Sequence, residues 1–290
     1  MLDALENRLN LLEIKCRRPV EHLLAGEYRS IFHGRGIEFE DVRPYQPGED
    51  VRTMDWKVTA RTGVAHIKRY VEEREQAIYL LVDASASLSR KANSKIRKKS
   101  NEVCSLLTLS AIKNNDRVGL ILFTDSVERI IPPGKGHSHA MRILHELISF
   151  QPKARGTNIN EALQNFRHLA RKYSIVFVIS DFLTDDFTKE LEALSIKHDV
   201  NAIHLMEENP LSTTASGLVR VEDSESGRQT IVDTKSWKSD SIRSHMTQVN
   251  DTLNNCGVHT IQITEDADCV EALAGFFRAR QQETKNESGG

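Results

Sequence analysis

Short apolar runs that alternate with helical segments constrain the fold of this chain most strongly. Residues 78–82 read Ile-Tyr-Leu-Leu-Val, which is typical of a strand buried on both faces of a parallel sheet. Segments with helical spacing separate the runs, so we predict an α/β fold with a doubly wound, mostly parallel sheet over residues 76–280. The predicted buried strands are residues 78–82, 117–123, 174–182, 199–206 and 258–264.

Two predicted hairpins interrupt this alternation. Residues 127–131 follow the strand 117–123 too closely for a crossover helix, so this pair must be antiparallel and adds one antiparallel edge strand. A second hairpin, with strands 218–222 and 229–233 around the turn Ser224–Gly227, is predicted as an insertion at about residues 217–234.

The first 75 residues and the last ten differ in sequence pattern from the predicted sheet domain. Leucines at helical spacing predict an amphipathic helix over the first dozen residues, and residues 34–75 are β-rich, with glycines, prolines and alternating charges. The dense Arg, Asp and Glu of this second stretch fit a surface ion-pair network and a recognition face equally well. We treat residues 1–75 as an N-terminal extension, and we predict that the polar tail 281–290 is disordered.

Composition excludes several classes of protein. A net charge of −2 over 290 residues argues against general attraction to nucleic acid or anionic membranes. No apolar run approaches the roughly 20 residues that span a bilayer, and the first residues show no signal-peptide pattern. We therefore expect a cytoplasmic protein without a membrane span. The cysteines lie far apart, which indicates neither a disulfide framework nor a zinc site: Cys16, Cys104, Cys256 and Cys269.

The first buried strand is followed by oxygen-bearing side chains at every second position. Asp83, Ser85 and Ser87 point the same way if the segment is extended, just past the carboxyl end of the strand. Ligands bind at this edge of open α/β sheets, and such oxygen ligands suit a hard cation like Mg²⁺. The motif alone is equally compatible with residues that only cap the next helix.

Two other loops offer further oxygen ligands. Thr157 follows a glycine, and Asp181 ends the strand 174–182, so both can converge with Asp83 above the sheet. Mg²⁺ takes about six oxygens and keeps several waters, so these five groups leave a position for an outside carboxylate. His137 and His139 lie in a predicted loop without further ligands nearby and are weak metal candidates.

The order Asp-x-Ser-x-Ser, Gly-Thr, Ser-Asp resembles the metal-ion-dependent adhesion site of von Willebrand factor A domains. In that family the hydroxyls tend to touch the metal, the aspartates often bind through water, and an acidic residue of the partner completes the shell. The resemblance implies Mg²⁺, with Mn²⁺ or Ca²⁺ as alternatives, and a short antiparallel edge strand. It places the metal ligands at Asp83, Ser85, Ser87, Thr157 and Asp181.

Residues 34–56, GRGIEFEDVRPYQPGEDVRTMDW, resemble the signature of a bacterial family catalogued as domain of unknown function 58. Its members carry this segment ahead of a von Willebrand A-like domain and typically accompany MoxR-type AAA+ ATPases. The resemblance implies such an ATPase as partner, in chaperone-like maturation or stress functions. Glu49 and Leu88 stand where aspartate and methionine are common in the family, and neither departure removes a metal ligand.

These observations support three hypotheses about function. The first is a Mg²⁺-dependent protein-interaction module, an adaptor of the ATPase and of possible client proteins. The second is a Mg²⁺-dependent, phosphatase-like hydrolase, and the third is a structural fold with an empty metal site. Asp83 is followed by Ala84-Ser85 and so departs from the Asp-x-Asp-x-Thr/Val motif of aspartyl-phosphate enzymes, which predicts that the protein is not an enzyme.

Overall fold

The computed structural model describes residues 2–21, 28, 37–72, 76–89, 94–184, 187–206, 218–222, 229–233 and 239–288. Their strands are β1 (Ile37–Pro44), β2 (His66–Glu72), β3 (Ala77–Asp83), β4 (Arg117–Phe123), β5 (Val127–Gly134), β6 (Ile175–Ser180), β7 (Asp199–Met206), β8 (Leu218–Glu222), β9 (Gln229–Asp233) and β10 (His259–Thr264). Their helices are α1 (Leu2–Pro19), α2 (Trp56–Thr62), α3 (Ala86–Ser89), α4 (Lys95–Lys113), α5 (His137–Ser149), α6 (Ile159–Leu169), α7 (Thr188–Ser195), α8 (Ser239–Asn255) and α9 (Cys269–Ser288), with a 3₁₀ turn at Val51–Thr53.

The centre of the molecule is a six-stranded sheet in the order β10-β7-β6-β3-β4-β5. All neighbouring strands pair in parallel except β4 and β5, which form the antiparallel hairpin at one edge. The predicted fold class, a doubly wound and mostly parallel sheet with one antiparallel edge strand, is confirmed. Because β3 lies between β4 and β6, its carboxyl end lies in the middle of the carboxyl edge of the sheet. This is the edge at which open α/β sheets bind ligands.

Two hydrophobic cores cover the two faces of this sheet. Alternate residues of β3 serve different cores: Leu80 and Val82 face the core that includes α4 and α9, whereas Tyr79 and Leu81 face the core that includes α6 and α7. This is why the predicted buried strands read as continuous apolar runs. Cys104, in α4, lies fully inside the first core.

The N-terminal helix packs against the central domain. Cys16 and Val20 are part of the first core, and Lys15 pairs with Glu102 of α4 at 2.8 Å. Tyr28 is also buried in this core, and its hydroxyl donates a hydrogen bond of 2.9 Å to Oδ2 of Asp116. The first part of the chain therefore belongs physically to the sheet domain.

Residues 37–72 form a separate antiparallel ribbon, in which β1 pairs with β2. The connection between these strands contains the 3₁₀ turn and α2, a helix that the sequence analysis does not predict. Both strands, Ile37–Pro44 and His66–Glu72, lie within the stretch 34–75 that is predicted to be β-rich. The other small sheet, β8 with β9, is the predicted hairpin, and its turn Ser224–Gly227 lies outside the described residues.

Two predicted boundaries are wrong. Disorder is predicted for the tail 281–290, but α9 continues to Ser288, because residues 281–288 are rich in Gln, Glu and Lys and a formed helix propagates at little cost. Helix α5 begins at His137, directly after Gly136 at φ +82°, so the two histidines lie on a helix and not in a loop. Within the described residues, every helix is too short or too polar to cross a membrane.

Candidate metal site at the carboxyl edge of the sheet

Asp83 is the last residue of β3 and lies at the centre of the site. Its side chain is almost fully buried, with 3% of the residue exposed. Oδ1 accepts a hydrogen bond of 2.8 Å from the backbone N–H of Ser85, and Oδ2 accepts one of 2.7 Å from the hydroxyl of Ser180. The carboxylate is therefore held in one orientation by donors from two adjacent strand ends.

The two serines of the motif lie together beside this carboxylate. Their hydroxyl oxygens are 2.9 Å apart, with Ser85 buried and Ser87 half-buried in the first turn of α3. The backbone N–H of Ala84 bonds to the carbonyl of Phe123, and that of Ala86 bonds to the carbonyl of Arg155, each at 2.9 Å. These bonds anchor the turn from β3 into α3. The segment is therefore not extended as the alternating motif predicts, because Ser87 already lies on a helix.

Asp181 follows β6 and is also buried. One of its oxygens accepts a hydrogen bond of 3.1 Å from the N–H of Leu183. Burial, and then repulsion from the Asp181 carboxylate, raise the pKa of Asp83 from 3.8 to about 7, against the hydrogen bonds from Ser85 and Ser180. The structure thus places the two predicted acids close enough for their charges to repel each other.

The turn after Asp181 is strained. Phe182 has φ +56°, which is rare for a residue with a bulky side chain. Its N–H donates to the hydroxyl of Ser180 at 3.0 Å, and its ring packs against Phe187 and His204. Ser180 therefore orients Asp83 and the Asp181 turn together, a role that the sequence analysis misses although Ser180 belongs to the Ser-Asp pair.

Thr157 lies in the loop before α6, and this loop contacts the segments that follow β3 and β6. Its carbonyl accepts a hydrogen bond of 2.8 Å from the hydroxyl of Thr184, in the loop after Asp181. The N–H of Asn158 bonds to the carbonyl of Thr124 at 2.8 Å, and its side chain caps α6 by accepting from Glu161 N–H. Asn158 is thus the N-cap of α6.

A carboxylate that the sequence analysis misses holds this loop in place. Glu128, in β5, accepts hydrogen bonds from the hydroxyl of Thr124 at 2.6 Å and from the backbone N–H groups of Lys153 and Ala154. Burial would raise the pKa of Glu128, but these hydrogen bonds outweigh it and the pKa is lowered. The turn after β4 also approaches the loop, since a Cβ at Gly156 would overlap with Oδ1 of Asp125.

The donor set fits a hard divalent cation. Two buried carboxylates lie beside serine hydroxyls, and these are the oxygen ligands that Mg²⁺ prefers. Burial and repulsion from Asp181 disfavour the ionised form of Asp83 and raise its pKa, and a bound dication would offset both effects. In the parts of the chain that the structure describes, no group of three or more His, Cys, Asp or Glu side chains is placed to hold a metal. His137 contacts Glu13 and His139 contacts the carbonyl of Val118, so they form no joint site.

The sequence is similar to a protein family and to uncharacterized mycobacterial proteins. A family model described as "Protein of unknown function DUF58" matches residues 41–252. The chain is 27% identical over 283 residues to the uncharacterized protein Rv1480 of Mycobacterium tuberculosis, an alignment that covers 94% of this chain and 89% of that protein. It is 24% identical over 160 residues to the uncharacterized protein MAV169 of Mycobacterium avium, which covers 52% of this chain and 94% of that protein.

Solved structures were also matched. An aerotolerance-related membrane protein from Bacteroides fragilis is 15% identical with a TM-score of 0.50, covering 71% of this chain and 99% of that one, and supports the same fold. A von Willebrand factor type A protein from Catenulispora acidiphila is 11% identical with a TM-score of 0.40, covering 74% of this chain and 43% of that one.

Proposed function

The chain belongs to the DUF58 family of proteins of unknown function, and we propose that it is a Mg²⁺-dependent protein-interaction module. One observation carries the proposal: Asp83 and Asp181 are buried in electrostatic contact at the carboxyl edge of the sheet. Two buried carboxylates that repel each other are costly to ionise unless a cation takes the place of the proton that neutralises them. The adjoining hydroxyls of Ser85 and Ser87 suit such a cation.

The metal would be held by both carboxylates and three hydroxyls, with Mn²⁺ or Ca²⁺ as alternatives to Mg²⁺. When bound, it supplies a fixed positive charge at the edge of the sheet. The protein's residues orient the donors: Ser180 holds Asp83, and Glu128 holds the loop that carries Thr157. Five ligand groups leave one position of a six-oxygen shell for a carboxylate of the partner. The proposed ligands are Asp83, Ser85, Ser87, Thr157 and Asp181.

We propose a MoxR-type AAA+ ATPase as the partner, because the signature at residues 34–56 resembles that of a family which accompanies these ATPases. The module would act as an adaptor in chaperone-like maturation or a stress response. We propose no catalytic turnover, since a serine, Ser85, stands where aspartyl-phosphate enzymes carry a second acid.

The test is a pull-down of the cognate AAA+ ATPase with the purified protein, in millimolar Mg²⁺ and in EDTA. We expect capture in Mg²⁺, loss in EDTA, and loss for Asp83→Asn, which keeps the shape of the side chain. Glu192→Ala, which removes an exposed carboxylate on α7, is the matched control and should behave as wild type. Capture that is indifferent to both EDTA and Asp83→Asn would refute the metal-dependent interaction.

A further inference from the structure

The short helix α2 is a well-fixed element of the ribbon. Asp55 caps its first turn by accepting hydrogen bonds of 3.0 Å from the N–H groups of Lys57 and Val58, and Gly63 ends it at φ +72°. The N–H of Asp55 also bonds to the carbonyl of His66 in β2 at 2.8 Å. The helix is therefore held in one orientation on the ribbon.

The outer face of α2 combines an aromatic residue with two cations. At 3.6 residues per turn, four exposed residues fall within an arc of about 140°, whereas Val58 and Thr59 on the other side are half-buried. Trp56 is 69% exposed, and the nearby Val51 and Val64 are 57% and 54% exposed. We call this surface the Trp56 face; it consists of Trp56, Lys57, Ala60 and Arg61.

Exposure of a tryptophan on a rigid element is typical of an interaction surface. Trp and Arg are the residues most enriched among those that dominate binding energy, and clustered exposed apolar side chains mark contact sites. A Trp that served only the ribbon's own stability would pack against it, as Ile67 of β2 does. The exposure of Trp56 is therefore better explained by a partner than by folding.

The charges of the Trp56 face identify the chemistry of that partner. Nearby arginines are already paired: Arg52 with Asp50 at 2.9 Å, and Arg43 with Glu49. Within the described part of the chain, neither Lys57 nor Arg61 forms an ion pair. They are four residues apart on the helix, which places their charged groups one turn apart on the same side.

We propose that the Trp56 face docks an acidic segment of a partner protein, with an apolar side chain of that segment packed on Trp56 and its carboxylates paired with Lys57 and Arg61. A nucleic acid also offers stacking and negative charge, but a chain with a net charge of −2 has no general attraction for a long phosphate backbone. A short acidic segment needs only the two cations of the face. This docking does not depend on the proposed metal site.

Selection of a random-peptide display library on the full-length protein tests the proposal. We expect enriched peptides that carry several Asp or Glu residues and at least one large apolar residue. A labelled, enriched peptide is then titrated by fluorescence polarisation. Trp56→Ala and the double variant Lys57→Glu/Arg61→Glu should each weaken its binding by about tenfold or more, the effect of losing one dominant contact.

Two further variants serve as controls. Lys189→Glu reverses an exposed charge on α7 and should leave peptide binding unchanged. Asp83→Asn should also bind the peptide as wild type does, which separates a failure of this proposal from a failure of the metal-dependent interaction. Circular dichroism checks that each variant is folded, as we expect from the exposure of the substituted side chains.

Several outcomes would overturn the proposal. They are the absence of enriched peptides, enrichment of peptides without acidic residues, and binding that survives both Trp56→Ala and the double charge reversal. An oligothymidylate that binds in a Trp56-dependent manner would instead assign the face to single-stranded nucleic acid. A wild-type dimer that Trp56→Ala dissociates in sedimentation equilibrium would assign it to a second copy of the chain.

Discussion

Asp83 carries a carboxylate that burial and a neighbouring acid both disfavour, although donors hold both of its oxygens. The hydrogen bonds from Ser85 and Ser180 lower its pKa, but burial and Asp181 outweigh them and the pKa stays raised. Groups with such conflicting environments cluster at functional sites. A residue chosen only for stability would be neutral in this position.

Replacing Asp83 by asparagine should therefore stabilise the metal-free protein at neutral pH. The asparagine side chain keeps an acceptor for Ser85 and removes the repulsion from Asp181, so we expect a gain of about 1–2 kcal/mol, or roughly 2–4 °C in melting temperature. The same change should abolish any rise in melting temperature on addition of Mg²⁺. Differential scanning calorimetry in EDTA and in Mg²⁺ measures both effects, and Asp251→Asn, at an exposed position of α8, is the control.

His198 is a second buried residue with a disfavoured charge. It is 3% exposed, its ring packs edge-on against Phe166, and neither ring nitrogen has a hydrogen-bond partner in the described structure. Burial, and then the charge of Lys197, lower its pKa from 6.5 to about 4. Its contribution to stability is thus complete above pH 6.5 and is lost as the pH falls towards 4.

We expect His198→Leu to remove this acid sensitivity. Between about pH 8 and pH 5, protonation of His198 in the unfolded chain should cost the wild type about 2 kcal/mol, and the variant should not lose this amount. Urea denaturation at the two pH values measures the difference. Equal losses in wild type and variant would contradict a buried neutral His198.

Among the secondary-structure elements, β5 acts on the candidate site through Glu128. Its carboxylate joins the turn after β4 to the backbone at Lys153 and Ala154, and so positions the loop that carries Thr157. Glu128→Gln keeps the length of the side chain but weakens these charge-assisted hydrogen bonds. If the loop supplies a metal ligand, Mg²⁺ affinity measured by calorimetric titration should fall about tenfold, as for other residues that orient ligands.

The matched control for Glu128→Gln is Glu146→Gln, on α5. Glu146 pairs with Arg129 of β5, the strand that carries Glu128, at 3.1 Å. In the described residues its carboxylate has no hydrogen bond to the Thr157 loop. We expect this variant to bind Mg²⁺ as wild type does. Equal affinity for both variants would show that Glu128 only stabilises the edge of the sheet.

The elements of the sheet could be predicted because their signal is local. Strands β4 and β7 begin and end at the predicted residues, since apolar runs are bounded by polar residues at both ends. Helix α2 could not be predicted from periodicity, because its 7 residues are fixed by Asp55 and Gly63 rather than by an apolar stripe. The start of α5 was missed because histidines and serine are weak helix formers.

The candidate site could be predicted only in part, for the same reason. Asp83, Ser85 and Asp181 stand in short motifs at the ends of apolar runs, where strand geometry alone brings them to one edge. Glu128 and Phe182 act through contacts between segments that are distant in the chain or through one backbone angle. No local pattern encodes such a role, so these residues emerge only from the folded structure.

At the scale of the whole molecule, α9 is joined to the sheet by a buried ion pair. Arg280 contacts Asp199 at 3.0 Å and also donates to the side chain of Asn201 at 2.9 Å. Arg280→Met should cost about 3–5 kcal/mol because it leaves the Asp199 charge unpaired, and adding Asp199→Leu should recover most of this loss. Urea denaturation measures both variants. A double variant no more stable than the single one would show that the pair contributes more than mutual compensation.

The carboxylate pair also makes the response of the whole protein to Mg²⁺ depend on pH. The pKa of Asp83 is raised above its unfolded value, so the stability that this group contributes is present below about pH 4 and is lost as the pH rises through about 7. A cation that binds the ionised pair should reverse this loss, and protons compete with it. We therefore expect the rise in melting temperature caused by Mg²⁺ to be larger at about pH 8 than at about pH 6.

Stability depends on pH in the opposite direction through His198. Comparing samples with and without Mg²⁺ at the same pH cancels this effect, because the charge of His198 does not contact the proposed metal ligands in the described structure. Differential scanning calorimetry at both pH values gives the two shifts, and Asp83→Asn should show neither. Equal shifts at the two pH values would mean that Mg²⁺ acts elsewhere, since cation binding at the Asp83–Asp181 pair must displace the proton that burial and mutual repulsion retain.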